Sequence, residues 1–228
     1  MRAASTCLQP DVLSRTRVHS GVLLDDFSST NNPLSGWAAS GSDGAGVGGQ
    51  STGGIAVGTS ASANWAVYKS SGTYGPNIDV MGTPVTVDAS NGGHAWFDLL
   101  LKDVGNPATV DSYGVELHRG NTPDTIIIWK TTNGTSVQKG TVNFQWVDGY
   151  RLRAVVTVSG GNTTIDVYVD NGTGWALVLT YTDSTSPFQA AGPIGIGGRA
   201  DAAFTSGGWS DIYSTGLVTS NQKIVMVI

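Results

Sequence analysis

Residues 150–182 read YRLRAVVTVSGGNTTIDVYVDNGTGWALVLTYT. Leu152, Ala154, Val156 and Val158 alternate with Arg151, Arg153, Val155 and Thr157. After a Gly160-Gly161-Asn162 turn, Ile165, Val167 and Val169 alternate with Thr164, Asp166, Tyr168 and Asp170. Alternation of period two over eight or nine residues marks a strand with one face in a core. Asn171-Gly172 then turns the chain into WALVLTYT. Earlier, HAWFDLLLKD sets Ala95, Phe97, Leu99 and Leu101 against Trp96, Asp98, Leu100 and Lys102. DSYGVELHRG sets Tyr113, Val115 and Leu117 against Gly114, Glu116 and His118. DTIIIWKTTNGTSVQKG predicts a strand and an Asn133-Gly134 hairpin turn. NWAVYKSS predicts another strand, and NIDVMGTPVTVDAS two short ones broken at Gly82. About a dozen strands, one every ~10 residues with Gly/Asn turns between, predict an all-β antiparallel sandwich. That number is too large for one open sheet, so two packed sheets of jelly-roll type are expected. No helix and no fixed-period repeat is predicted.

The chain divides unevenly. Residues 1–21 lack periodicity and read as an extended N-terminal arm. Residues 22–217 form the predicted sandwich, and residues 218–228, ending in QKIVMVI, an apolar tail strand. Left free, such a tail would be an aggregation hazard, so it is expected to pair with an edge strand. Segment 38–64 is dense in Gly and Ser and reads as a flexible linker or as loops with short strands. The alternation of Ile55 and Val57 favours loops.

Composition agrees with the all-β reading. The 228 residues include 32 Gly and only 13% charged residues, and Glu116 is the one glutamate. Such a chain is short of helix formers, while 39% hydrophobic residues suffice for a core. The net charge is −5, and the arm, with Arg2, Arg15 and Arg17 against Asp11, is locally basic. The acidic body is a poor partner for nucleic acid, and none is expected. No apolar run approaches the ~18 residues of a membrane span, so no membrane partner is expected. The N-terminus has no continuous apolar segment and is not expected to act as a secretion signal; host lysis would then release the protein. Cys7 is the single cysteine, which excludes an intrachain disulfide framework. Asn133, Asn162 and Asn171 stand in sequons that read as hairpin chemistry.

Candidate chemistry is sparse. His19, His94 and His118 show no metal-ligand spacing along the chain, which argues against zinc. GPIGIGG lacks the lysine and helix of a phosphate loop and reads as a glycine-rich strand packed tightly on a neighbour. Saccharide binding needs aromatic faces for pyranose rings and planar polar groups for hydroxyls. Seven tryptophans keep that chemistry in view. By parity Trp96 shares a face with Asp98, Glu116 with His118, and Arg151 with Arg153. If these strands are neighbours in one sheet, the six residues form one polar face, with Trp129 and Tyr168 as further candidates. The competing reading places each tryptophan in core or loop packing.

The stretches LLDDFSS…SGW, YRLRAVVTVSGGNTTIDVYVDNGTGW and GPIGIGG…WSDIY together resemble the concanavalin A-like lectin/laminin-G superfamily. The resemblance spans roughly residues 22–217 and implies that a first strand at VLLDD pairs with a last strand at WSDIY. It also implies a structural calcium ion held by Asp25 or Asp26 with Asp211, with no other cofactor. Hydrolases of the superfamily carry Glu-x-Asp-x-Glu or Glu-x-Asp-x-x-Glu on a strand. Here the single glutamate sits in YGVELHRG without that pattern; Asp166 and Asp170 share parity on one strand and could substitute, but Asp170 sits at the turn VDNG where turn chemistry accounts for it, so no enzyme is expected. More narrowly, the start is similar to minor tail and other virion proteins of actinobacteriophages. The expected function is a non-catalytic phage virion protein, in a tail or on a capsid surface. Residues 1–21 and 218–228 would anchor it to other subunits of an oligomeric assembly, and its exposed face would bind host-surface glycan. The alternatives are a free carbohydrate-binding protein and, third, an unusual glycosidase.

Overall fold

The computed structural model describes residues 21–40, 49–52, 54–58, 64–85, 93–120, 123–199 and 207–217. The proposed arm and tail anchors thus lie outside the described residues, except Gly21. The described chain has strands and no helix. In order these are β1 (Val22–Asp25), β2 (Trp37–Ala39), β3 (Gly49–Thr52), β4 (Ile55–Gly58) and β5 (Asn64–Lys69). Then follow β6 (Tyr74–Val85), β7 (His94–Lys102), β8 (Asp111–His118), β9 (Thr125–Thr132) and β10 (Thr135–Asn143). The last are β11 (Arg151–Ser159), β12 (Asn162–Asp170), β13 (Trp175–Asp183), β14 (Gly195–Arg199) and β15 (Gly208–Leu217).

They form two antiparallel sheets. One runs β13-β12-β11-β6-β15-β4-β3, with β1 also paired to β15; the other runs β10-β9-β8-β7-β14-β5-β2. This is the all-β jelly-roll sandwich that the alternation predicts. First and last strands pair as expected, with Val22 opposite Ser214, Leu23 opposite Tyr213 and Asp25 opposite Ile212. The turns follow turn chemistry. Asn133 (φ 47°) and Gly134 (φ 71°) link β9 to β10, and Gly160 (φ 58°) and Gly161 (φ 83°) link β11 to β12.

Parity places the core between the sheets. Phe97, Leu99, Tyr113, Val115, Leu117, Ile126 and Ile128 point inward from the seven-stranded sheet, each at 0% exposure. Leu152, Ala154, Val156, Ile165 and Val167 meet them from the other, at 0–1% exposure. Burying each larger apolar side chain contributes about 1.5–3 kcal/mol. Trp209, fully buried, stacks on Phe97 with ring centroids 4.4 Å apart and donates Nε1–H to the Gly197 carbonyl at 3.0 Å.

Two local expectations are corrected. β6 is one continuous strand and does not break at Gly82. The glycine serves close approach instead: a Cβ there would lie 2.6 Å from both the Asp211 carbonyl and Ile212 Cδ1. In β7 the alternation fails at its end, where an irregularity with Leu100 at φ 52° brings Leu100 into the core and leaves both Leu100 and Leu101 buried.

A charged group lies on the inward parity. Lys130, on the same face of β9 as Ile126 and Ile128, crosses to the end of β13 and meets Asp183 Oδ2 at 2.5 Å. It also donates to the Ser186 carbonyl at 2.6 Å, and Tyr113 O–H donates to Asp183 Oδ2 at 2.8 Å. Burial opposes ionisation of Asp183. The hydrogen bonds from Lys130, Tyr113 and the Ser186 and Thr185 amides outweigh it and hold the carboxyl at about 2. Burial pushes the Tyr113 phenol well above its ordinary range. The two sheets are therefore joined at this end by a buried, fully bonded ion pair.

Candidate functional site

The outer face of the seven-stranded sheet carries the site. β7, β8 and β9 are consecutive neighbours, with Phe97, Val115 and Ile128 in the core. The opposite parity therefore turns His94, Trp96 and Asp98 of β7 outward, with Glu116 and His118 of β8 and Trp129 of β9. Register brings them together. His94 lies opposite His118, Trp96 opposite Glu116, and Gly114 separates Asp98 from Trp129. The six side chains line one recess of about 310 Å3, rimmed by Asn64, Thr131 and Ser136.

Glycines make the depth. β14 lies against β7 with Gly195 opposite Asp98 and Gly197 opposite Trp96. A Cβ at Gly195 would lie 2.8 Å from Asp98 Cβ, and one at Gly197 2.3 Å from Trp96 Cε2. The indole thus lies over bare backbone. Gly114 leaves the centre open, although a Cβ there would make only ordinary contact, 3.4 Å from Trp129 Cβ. As a result Trp96 is only 8% exposed, Asp98 5% and Glu116 9%. Trp96 is therefore a wall of the recess and not the open platform that parity suggests; Trp129 is the more accessible indole. Gly197→Ala is expected to cost about 1–3 kcal/mol, because the Trp65 carbonyl, 2.6 Å from the new Cβ, cannot yield as a side chain would. Thermal denaturation reads the loss, and a shift in tryptophan emission reads the displaced Trp96.

The polar groups are wired together. Glu116 accepts through Oε1 from His94 Nδ1 and through Oε2 from Trp129 Nε1–H. Trp96 Nε1–H donates to Asp98 Oδ2 at 3.3 Å. The His94 and His118 rings face one another with centroids 4.0 Å apart. Burial, with the positive character of His94 and Arg199, holds His118 below the ordinary imidazole range despite Glu116 and Asp124 nearby.

Of the seven residues proposed for saccharide contact, the structure brings Trp96, Asp98, Glu116, His118 and Trp129 into one recess. Arg151 and Arg153 are corrected. They stand on β11, in the eight-stranded sheet, on the far side of the sandwich. There both guanidiniums lie over Trp175, at 5.6 and 5.7 Å, and Arg153 also lies over Tyr168 at 5.3 Å. Arg153 grips Asp79 with two bonds of 2.7 and 2.6 Å. Tyr168 goes with them, away from the recess. His94 completes the group; its parity with Trp96 and Asp98 along HAWFD was the signal that could have found it.

The carboxylates implied for calcium are each engaged by other partners. Asp25 accepts from the Phe27 amide at 2.9 Å and Trp37 Nε1–H at 2.8 Å, and lies 3.7 Å from Lys69 Nζ. Asp211 accepts from the Thr83 amide at 3.0 Å and faces Arg151 at 3.5 Å. Asp26 is exposed and accepts from the Ser28 amide at 3.0 Å. Donors already turned to two different cations do not fit one ion. Asp170, half of the alternative carboxylate pair, is occupied by the Gly172 and Gly174 amides of its own turn.

No family model matches the chain, and no curated protein matches it. Solved structures do. The metal-free carbohydrate recognition domain of Emp46p superposes with a TM-score of 0.60 at 14% identity, over 86% of this chain and 97% of that one. The carbohydrate-binding module CBM66 from Bacillus subtilis gives 0.52 at 14%, over 81% and 94%. The CBM2 module of the evolved Dit of Lactobacillus casei BL23 phage J-1 gives 0.52 at 15%, over 86% and 95%. The fold of this chain is that of concanavalin A-like lectin domains.

Proposed function

We propose that this chain is a non-catalytic, glycan-binding component of a phage virion, taking a saccharide into the recess of β7, β8 and β9. One observation carries the reading: indoles and carboxylates from three adjacent strands converge on one outward recess, on a fold shared with carbohydrate-binding domains. Trp129 offers an aromatic face to the C–H face of a sugar ring. Glu116, Asp98, His94 and His118 offer acceptors and donors to its hydroxyls. A volume of about 310 Å3 suits one or two rings, at the small end of ligand sites. The non-catalytic reading is supported by how the carboxylates are spent. Both oxygens of Glu116 and one of Asp98 accept from fixed indole or imidazole donors. A hydrolase needs a carboxylic acid free to give its proton to a leaving group.

The virion assignment rests on the sequence resemblance and on the likeness to the phage Dit module. Residues 1–21 and 218–228 would anchor the domain to neighbouring subunits, leaving the recess outward. Immunogold labelling of intact particles tests that part, and an unlabelled particle with the protein free in the lysate overturns it.

Binding is tested on a panel of bacterial cell-wall saccharides with the full chain. Trp129→Ala is expected to weaken binding about tenfold or more, since stacking and its loss of packing amount to roughly 1–3 kcal/mol. Equal binding by the variant, or release of new reducing ends from the bound saccharide, overturns the reading.

A further inference from the structure

We infer that His94, Glu116 and His118 form a binding site for a single divalent transition-metal ion, zinc being the best match, at the floor of the recess. Their ligand atoms all lie within 4.8 Å of one another, the one such group of three among the described residues. Linear spacing concealed it, because it is built across a strand pair: Glu116 and His118 are two apart on β8, and His94 is directly opposite His118 on β7.

Donor chemistry selects the ion. Two imidazoles and one carboxylate suit zinc, cobalt, nickel or copper; calcium and magnesium prefer all-oxygen sets. Zinc bonds of ~2.0–2.2 Å in a tetrahedron place donors about 3.3 Å apart. His94 Nδ1 and Glu116 Oε1, now hydrogen-bonded, would part as the ion displaced the Nδ1 proton to solvent, and the wider spread of the group, within 4.8 Å, would close to that spacing. Trp129 Nε1–H holds the other oxygen of Glu116, the kind of contact that fixes a ligating carboxylate in place. Three protein ligands leave a fourth position, and the recess opens onto it. A water or a ligand hydroxyl would take that position. The ion site shares His94, Glu116 and His118 with the saccharide reading, but it is argued from the donor set alone and does not rest on that reading.

The test uses the full, untagged chain stripped with EDTA. Calorimetric titration with zinc chloride is expected to show one saturable site per chain, lost in His94→Gln/His118→Gln and weakened about 10–100-fold in Trp129→Phe. Cobalt(II) at the same site should develop a tetrahedral visible spectrum that zinc bleaches, and calcium chloride should give no saturable heat. A melting curve for each variant separates loss of the site from loss of the fold. Zinc uptake unchanged in the double variant, or none in the parent chain, overturns the proposal. Saccharide binding measured with and without EDTA is read separately: zinc uptake without sugar binding sinks only the glycan reading, and sugar binding without zinc uptake sinks only this one.

Discussion

Lys130→Met is expected to lower the unfolding free energy by about 3–5 kcal/mol, the usual cost of stranding one member of a buried ion pair. Urea denaturation at neutral pH measures it. The ammonium is the nearest cation to Asp183, and both side chains are enclosed at 7% and 3% exposure. Removing it leaves a carboxylate in the core with only neutral donors around it. A double variant, Lys130→Met with Asp183→Leu, is expected to recover only part of the loss. It would still strand the Tyr113 hydroxyl and the Thr185 and Ser186 amides that Asp183 serves. The same network sets an acid limit. Asp183 titrates near 2 in the folded chain against 3.8 for a free aspartate. A depressed carboxyl stabilises the fold above its unfolded value and loses that contribution as pH falls towards its folded one. About 2 kcal/mol should therefore disappear between roughly pH 4 and pH 2. In Lys130→Met the decline should begin at higher pH, because the carboxyl has lost a principal donor. A variant with an unchanged acid profile would show that Lys130 does not hold the charge.

Trp209→Ala is the second large effect, at about 3–5 kcal/mol. The indole is fully enclosed, stacked on Phe97 and bonded to the Gly197 carbonyl. Truncation opens a cavity between the sheets and leaves that carbonyl without its donor. Because Gly197 underlies Trp96, the recess should lose shape too, and saccharide binding should weaken although Trp209 touches no ligand. Denaturation and near-UV circular dichroism follow the first effect, and the binding assay the second. Trp175→Ala, whose indole only covers two guanidiniums, should cost about 1 kcal/mol. Equal losses at the two positions would contradict this account of the core.

Much of this was written in the alternation. A period of two separates Phe97 from Trp96 and Val115 from Glu116 without any coordinates, and so gives both the core and the residues that face away from it. What parity cannot say is which sheet a strand joins. Arg151 and Arg153 have the same outward pattern as Trp96 and Asp98, yet their strand belongs to the opposite layer. Nor does parity report depth. Trp96 sinks because β14, which follows β7 by some ninety residues, brings Gly195 and Gly197 alongside it. The histidine pair was missed for a related reason. A ligand set built across two strands leaves no fixed interval along the chain, and only register discloses it.

The glycines of β14 have an evolutionary consequence. Trp96 and Asp98 bound the recess there, and they lie directly on the main chain of Gly195 and Gly197, which have no side chain left to trim. Mutation at 195 or 197 can only fill the cavity. A lineage that needs room for a larger ligand, and keeps the indoles and carboxylates of the recess, would find it at Asn64, Thr131 or Ser136. Divergence of ligand preference should therefore concentrate at those three positions, while the floor stays within reach of only one direction of change.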